Sequence, residues 1–270
     1  PHGATVTCAS AGNHGLAVAR GAAMCGCRSV IFLPSGTDER RLDAIRREGG
    51  EVREAAGSYD DAVRVAADQA RDEEWLLVSD TAYPGYEEVP RHIMQGYTVM
   101  VREALSQAPG GHLPTHVFVQ AGVGGLAAAV AGHLWETLGP RRPRVVVVEP
   151  SEADCLLESA LHHRLTPSRG SLATTLSCLA CRNPSTLAWT ILGEGADAFL
   201  SITDEAARAV VEALASGVGE DPPIVSQPSG VAGLAGLLAA LREPALAGPL
   251  GLANDSRVLI FGSEGPSTGP

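Results

Sequence analysis

The sequence predicts an α/β protein: two three-layer lobes built on mostly parallel sheets. Three observations predict it. Short, β-branched apolar runs alternate with longer segments of helical period. Val145 to Val148 is an unbroken run of valine, which suits a strand covered on both faces. Two strand ends run straight into small-residue turns that open helices, the usual layout of a βα unit.

The strands are expected at residues 5–9, 29–33, 51–54, 75–78, 115–120, 144–149 and 257–261, where Val, Ile, Thr and Phe cluster. Helices are expected between them. Residues 14–24 are Ala-rich, and 38–48 begin with acidic side chains at the positive end of the helix dipole. Residues 59–71 follow Ser58, a candidate N-cap. Over 89–105, Val89, Ile93, Met94, Tyr97, Met100, Val101 and Leu105 fall on one face. A further Ala-rich helix is expected at 126–138. Ala108-Pro109-Gly110-Gly111 is a loop, and the stretch before it is taken as a boundary. Residues 1–88 then form the smaller α/β lobe, and 89–270 the larger one with the Gly-rich turn and the last strand. Gly265-Pro266-Ser267-Thr268-Gly269-Pro270 reads as a frayed or truncated end.

With 45% hydrophobic residues among 270, a sizeable core can be buried. Aromatic residues are 4% and the net charge is −11, with acidic and basic residues interspersed; both argue against a nucleic-acid or anionic-membrane partner. No run approaches the roughly 20 apolar residues of a membrane span, and the cytoplasm is the expected compartment. Six cysteines in a chain of this length do not suggest a disulfide scaffold. Cys8, Cys25 and Cys27 are expected as small buried hydrophobes. Cys178 and Cys181 form a C-x-x-C with no second pair at zinc-like spacing, so packing is the expected role and no metal site is assigned. All 20 basic residues are arginine; there is no lysine.

Gln120-Ala121-Gly122-Val123-Gly124-Gly125-Leu126 follows a strand and opens a helix. Glycines there let backbone N–H groups approach an anion, and the helix start adds positive potential. A phosphate is the natural guest. The same residues satisfy G-x-G-x-x-A, and Glu149 ends the next strand, so a dinucleotide fingerprint competes, as does a bare turn. The second feature is Ala9-Ser10-Ala11-Gly12-Asn13-His14-Gly15. Asn13 can donate and accept toward a ligand. His14 reads as a solvated first-turn residue.

Taken in order, Ser-Ala-Gly-Asn-His followed by Gly-Val-Gly-Gly resembles the tryptophan-synthase-β-like, fold type II pyridoxal-phosphate enzymes. More narrowly, the chain is similar to the diaminopropionate ammonia-lyases. The matching residues are Gly12-Asn13-His14-Gly15, Asp80-Thr81-Ala82-Tyr83-Pro84-Gly85-Tyr86-Glu87, Ile93-Met94-Gln95-Gly96-Tyr97 and Gln120-Ala121-Gly122-Val123-Gly124. Val148-Glu149-Pro150, Ala153-Asp154-Cys155-Leu156, Leu172-Ala173-Thr174, Leu179-Ala180-Cys181, Ala196-Asp197-Ala198-Phe199 and Ser263-Glu264-Gly265 extend the match almost end to end.

The resemblance implies pyridoxal 5'-phosphate as cofactor, a small amino acid as substrate, a homodimer, and elimination of ammonia from 2,3-diaminopropionate to give pyruvate and ammonia. It implies that Gly122, Val123, Gly124 and Gly125 cradle the phosphate, that Asn13 bonds the phenolic oxygen of the ring, and that Ser263 faces the pyridine nitrogen. It matches Asp80 to the acidic residue that takes the Cα proton; by itself, Asp80-Thr81 is also a common capping pair. Two departures stand out. Ala11 replaces the aspartate that precedes Gly-Asn-His in the ammonia-lyases, as in the threonine dehydratase branch, which implies activity on the L enantiomer with little on the D form. Gln227-Pro228-Ser229-Gly230 stands where relatives often carry Glu-x-x-Gly.

A third departure is larger. The family's Schiff-base lysine lies upstream of Gly-Asn-His, before Pro1 here, and only an amine can take that role. Arginine stays protonated and is not nucleophilic. The chain is therefore expected to be a fragment of a longer product, inactive alone, that folds poorly or exposes a sheet edge when isolated. The alternatives are a threonine or serine dehydratase-like enzyme, a nicotinamide-dependent oxidoreductase using the glycine turn with Glu149, and a non-catalytic relative.

Overall fold

Alternation along the central strands sets the layers. In the computed structural model, which describes residues 3–57 and 59–265 apart from the side chain of Asp60, the valine run lies in a strand, β6 below. Its Val145 and Val147 enter one apolar cluster and Val146 and Val148 the opposite one, all fully buried. A strand with period two and helices on both sides must be apolar at every position.

The chain forms two compact units that divide between Asp80 and Thr81. In the first, β1 (Thr5–Ala9), β2 (Arg28–Pro34), β3 (Glu51–Ala55) and β4 (Leu76–Leu77) pair in the order β3-β2-β1-β4, all parallel. Ile31 and Leu33 of β2 pack on one face with α1 (Asn13–Met24) and α2 (Glu39–Arg47). Val30 and Phe32 pack on the other with α3 (Tyr59–Asp72), through Ala66. Asp38 caps α2 by accepting from the Arg40 amide at 2.9 Å. Ser58, the N-cap expected for α3, and residues 266–270 of the expected frayed end lie outside the described residues.

In the second unit, β5 (His116–Gln120), β6 (Arg144–Pro150), β7 (Ala198–Ile202) and β8 (Val258–Ile260) pair in the order β7-β6-β5-β8, again all parallel. One face carries α4 (Glu88–Ser106), α5 (Gly125–Leu138) and α7 (Thr186–Gly195). The other carries α8 (Asp204–Ser216) and α9 (Ala232–Arg242), followed by the short α10 (Pro244–Leu250). The helix α6 (Cys155–His162) follows β6. Helix α9 reaches the sheet closely because a Cβ at Gly236 would lie 2.6 Å from Val148 Cγ2, and one at Gly233 2.6 Å from the Phe118 carbonyl.

The fold is the two-lobed parallel α/β architecture expected, with one strand more. β7 escaped the sequence reading because Ala-Phe-Leu-Ser-Ile has little β-branching and its edge position leaves it only half-buried. The boundary expected before residue 89 lies downstream of the observed division. Two bonds tie the segment after Asp80 to the second unit: the Ala82 amide donates to Ser185 Oγ at 3.0 Å, and the Thr186 amide donates to the Ala82 carbonyl at 3.0 Å.

Leu134 of α5 is fully buried and Leu161 of α6 is 66% exposed. Leu134→Ala is expected to lower stability by about 2–5 kcal/mol in denaturant unfolding, and Leu161→Ala by less than about 0.5 kcal/mol. Equal losses would contradict the assigned layers.

Candidate active site

Each sheet reverses its strand order at one strand, β1 in the first unit and β5 in the second. In open parallel sheets ligands bind beyond the carboxyl end at such a point. Both turns singled out in the sequence leave these two strand ends.

After β5, Gly124 sits at φ +100°, left-handed backbone that side chains rarely adopt, and it precedes the first turn of α5, which carries no acidic residue. A Cβ on Gly122 would lie 3.0 Å from Cys181 Sγ and 3.2 Å from Leu179 Cα. The Ala121 amide donates to the Val148 carbonyl at 2.9 Å, the Ser185 amide to the Val123 carbonyl at 2.9 Å, and the Cys155 thiol to the Gly122 carbonyl at 3.6 Å. Among the described residues, the N–H groups of Gly122, Val123, Gly124 and Gly125 donate to no protein acceptor. Four amides at a helix start, with two of the turn's carbonyls held elsewhere, make a cradle for an anion.

Glu149 decides between phosphate and dinucleotide. It is fully buried, and its two carboxylate oxygens accept the amides of Leu156 at 2.9 Å and Leu157 at 2.8 Å. The carboxylate therefore caps α6 and is committed there, not presented to a ribose. Burial pushes it up to about 8, against the opposing pull of the two amides. A G-x-G-x-x-A pattern alone could not show this.

Ser263 follows β8, and its Oγ accepts from Gln120 Nε2 at 2.5 Å. No role was assigned to Gln120 from the sequence; a polar side chain directly after three apolar strand residues was the available signal. Gln227, which stands where relatives often carry Glu, meets Glu264 through the backbone only. The Gln227 amide donates to the Glu264 carbonyl at 3.2 Å, while Glu264 Oε1 accepts from the Cys178 thiol at 3.2 Å.

In the first unit, Asn13 is the exposed first residue of α1, and Gly12 takes the N-cap position. Asp80 follows β4, half-buried, and its charge joins burial in pushing the Cys8 thiol up to about 12. Cys8 thus stays a neutral neighbour. His14 is not the solvated residue expected: its Nε2 lies 2.7 Å from the Val78 carbonyl, tying α1 to the segment that carries Asp80. Of the cysteines expected to be buried, Cys8 is buried, Cys25 is exposed and Cys27 is half-buried. The last two lie at the C-terminal end of α1, where the turn into β2 runs over the surface.

Two parallel sheets, each with a small-residue turn at its reversal point and one with an anion cradle, define an α/β scaffold for a phosphorylated ligand. The chain belongs to the pyridoxal-phosphate-dependent enzymes, whose family model, described as "Pyridoxal-phosphate dependent enzyme", matches residues 1–260. It is 39% identical over 259 residues to the diaminopropionate ammonia-lyase of Escherichia coli (strain K12), covering 94% of this chain and 65% of that protein. It is 31% identical to the biosynthetic L-threonine dehydratase of Salmonella typhimurium, over 86% of this chain and 42% of that protein. The structure matches diaminopropionate ammonia lyase from Escherichia coli in complex with an aminoacrylate-PLP azomethine reaction intermediate, with a TM-score of 0.90 and 36% identity, covering 98% of this chain and 70% of that one. The chain thus spans 65% of the length of the first of these curated relatives.

The family's cofactor is pyridoxal 5'-phosphate, and the cradle fits its phosphate: four unpaired amides, no acidic side chain in the first turn, and positions where a Cβ has no room. The covalent link does not fit within these residues, because there is no lysine among them.

Because Glu149 titrates above its ordinary value of 4.5, the folded state holds a proton that the unfolded state releases. Its contribution to stability is full below pH 4.5 and is lost as pH rises toward about 8. Urea unfolding of Glu149→Gln should show this decline removed relative to the parent across that window. Parallel curves would assign the proton elsewhere.

Proposed function

We propose that this chain is the larger part of a pyridoxal-phosphate-dependent carbon–nitrogen lyase. The reaction removes ammonia from 2,3-diaminopropionate and, with one water, yields pyruvate and a second ammonia. The observation that carries it is the bare-amide turn at residues 122–125; the 39% identity to diaminopropionate ammonia-lyase over 94% of the chain supports the substrate.

When bound, the cofactor supplies an electron sink for the charge left by loss of the Cα proton. The chain's residues hold and orient. The amides of Gly122, Val123, Gly124 and Gly125 bind the phosphate dianion, and the start of α5 favours its charge. Asn13 donates to the phenolic oxygen, Ser263 meets the pyridine nitrogen, and Asp80 accepts the Cα proton. Cys8, kept neutral, does not compete for that proton. The amine that links cofactor to protein must come from outside these 270 residues.

Ala11 favours a second reading, a threonine or serine dehydratase-like lyase, in keeping with the 31% identity to L-threonine dehydratase. Substrate choice separates the two. The full-length protein given L-diaminopropionate should release pyruvate and ammonia, with little turnover of the D enantiomer. Comparable rates on both enantiomers would remove Ala11 as the determinant, and threonine as the better substrate would favour the dehydratase. Asp80→Asn should lower kcat on the L substrate by about 10²–10⁴-fold while the bound-cofactor absorption persists. Unchanged kcat would take Asp80 out of the proton-accepting role.

A further inference from the structure

Gln120 ends β5, among Val117, Phe118 and Val119. It is 1% exposed, at the end of a strand whose three preceding residues are apolar and fully buried. Its Nε2 donates to the Phe261 carbonyl at 2.8 Å and to Ser263 Oγ at 2.5 Å, with the Gly230 carbonyl farther off at 3.5 Å. Its Oε1 is buried without a partner among the described residues.

The amide can be oriented in one way only. The Phe261 carbonyl has no hydrogen to give, so the NH2 group faces it; the reverse orientation would set two oxygens against each other. Ser263 Oγ lies beside the same nitrogen and therefore receives the amide's second hydrogen. Leaving Oε1 unpaired is tolerated because the donor side is held by two acceptors. A hydroxyl has one hydrogen and two lone pairs. With a lone pair taken by Gln120, the Ser263 hydrogen is directed to another partner.

We propose that Gln120 is a positioning residue that fixes the polarity of Ser263, so that the hydroxyl donates to the cofactor's pyridine nitrogen and keeps it unprotonated. This rests on the placement of Ser263 at that nitrogen. An uncharged ring withdraws electrons less strongly than a pyridinium, which suits departure of a β-substituent over long storage of charge on the ring. The control therefore lies one residue behind the hydroxyl, in the strand that also bears the phosphate turn. An amide there supplies two hydrogens at a fixed point; an acid supplies at most one.

The test uses the full-length protein bound to pyridoxal phosphate labelled with nitrogen-15 in the ring, and reads the ring-nitrogen chemical shift against pH. The parent should give the unprotonated signal through neutral pH. In Gln120→Glu, Ser263 donates to the carboxyl group and accepts from the ring, so the signal should move to the protonated position. Adding Ser263→Ala to Gln120→Glu should return it, which loss of packing alone would not do. If Gln120→Glu does not fold, Gln120→Met removes the donor without charge, and the ring should then take up a proton at higher pH than in the parent. Cofactor bound with an unchanged shift in the folded variant overturns the role of Gln120, as does a protonated signal that persists without Ser263. Failure of the full-length protein to bind pyridoxal phosphate would overturn the underlying placement as well, and the two failures are separately visible.

Discussion

Backbone amides cannot be left buried without partners at small cost, and four in succession at residues 122–125 donate to no acceptor among the described residues. Each unmet donor in a water-poor site costs about 1–3 kcal/mol, so the turn is stable only if an acceptor arrives or solvent reaches it. An anion meets that need for all four at once. Much of the local sequence follows from keeping those amides bare. Gly124 must be glycine for its φ of +100°, and Gly122 because Cys181 and Leu179 already fill the space beside it. The Ala-rich start of α5 lets the helix lie between the sheet and α4 and α7, with its axis ending at the carboxyl edge of β5.

The turn is held from two sides, and each support leads to another part of the site. On one side Glu149 caps α6, whose first residue, Cys155, bonds the Gly122 carbonyl. On the other, Ser185 bonds the Val123 carbonyl through its amide and the Ala82 amide through its hydroxyl. Ala82 lies two residues beyond Asp80 along the chain. One buried serine thus holds both the Gly-rich turn and the start of the segment that opens the second unit. Supports bonded in this way hold the turn's backbone in one geometry, as an anion cradle requires.

The layers were legible because period-two alternation and the valine run leave few alternatives. The turns were legible because glycine and asparagine at strand ends have few other uses. Roles that depend on a distant partner were not. Glu149 left a dinucleotide reading open until the Leu156 and Leu157 amides were found on it. His14 looked solvated because Val78, its partner, is remote in sequence. Gln120 had a visible oddity, polarity in a buried strand, but its meaning needed Phe261 and Ser263 from the far end of the chain. The division between the units followed from bonds at Ala82 rather than from the Pro-Gly loop that marked the expected boundary. Local chemistry marked the turns, and only tertiary contacts showed what Glu149, His14 and Gln120 are bonded to.

Absence of lysine separates two jobs that usually appear together. Holding a phosphorylated pyridine needs amides, a ring-nitrogen partner and a donor to the phenolic oxygen, and on the proposed reading this chain supplies all three. Making and exchanging the covalent bond needs an amine that is neutral part of the time, which a guanidinium with a pKa above 12 is not. No rearrangement of 20 arginines supplies it. On that reading, affinity for the cofactor and the placement of the proton acceptor would reside in these residues, whereas turnover would depend on one primary amine delivered to the same ring.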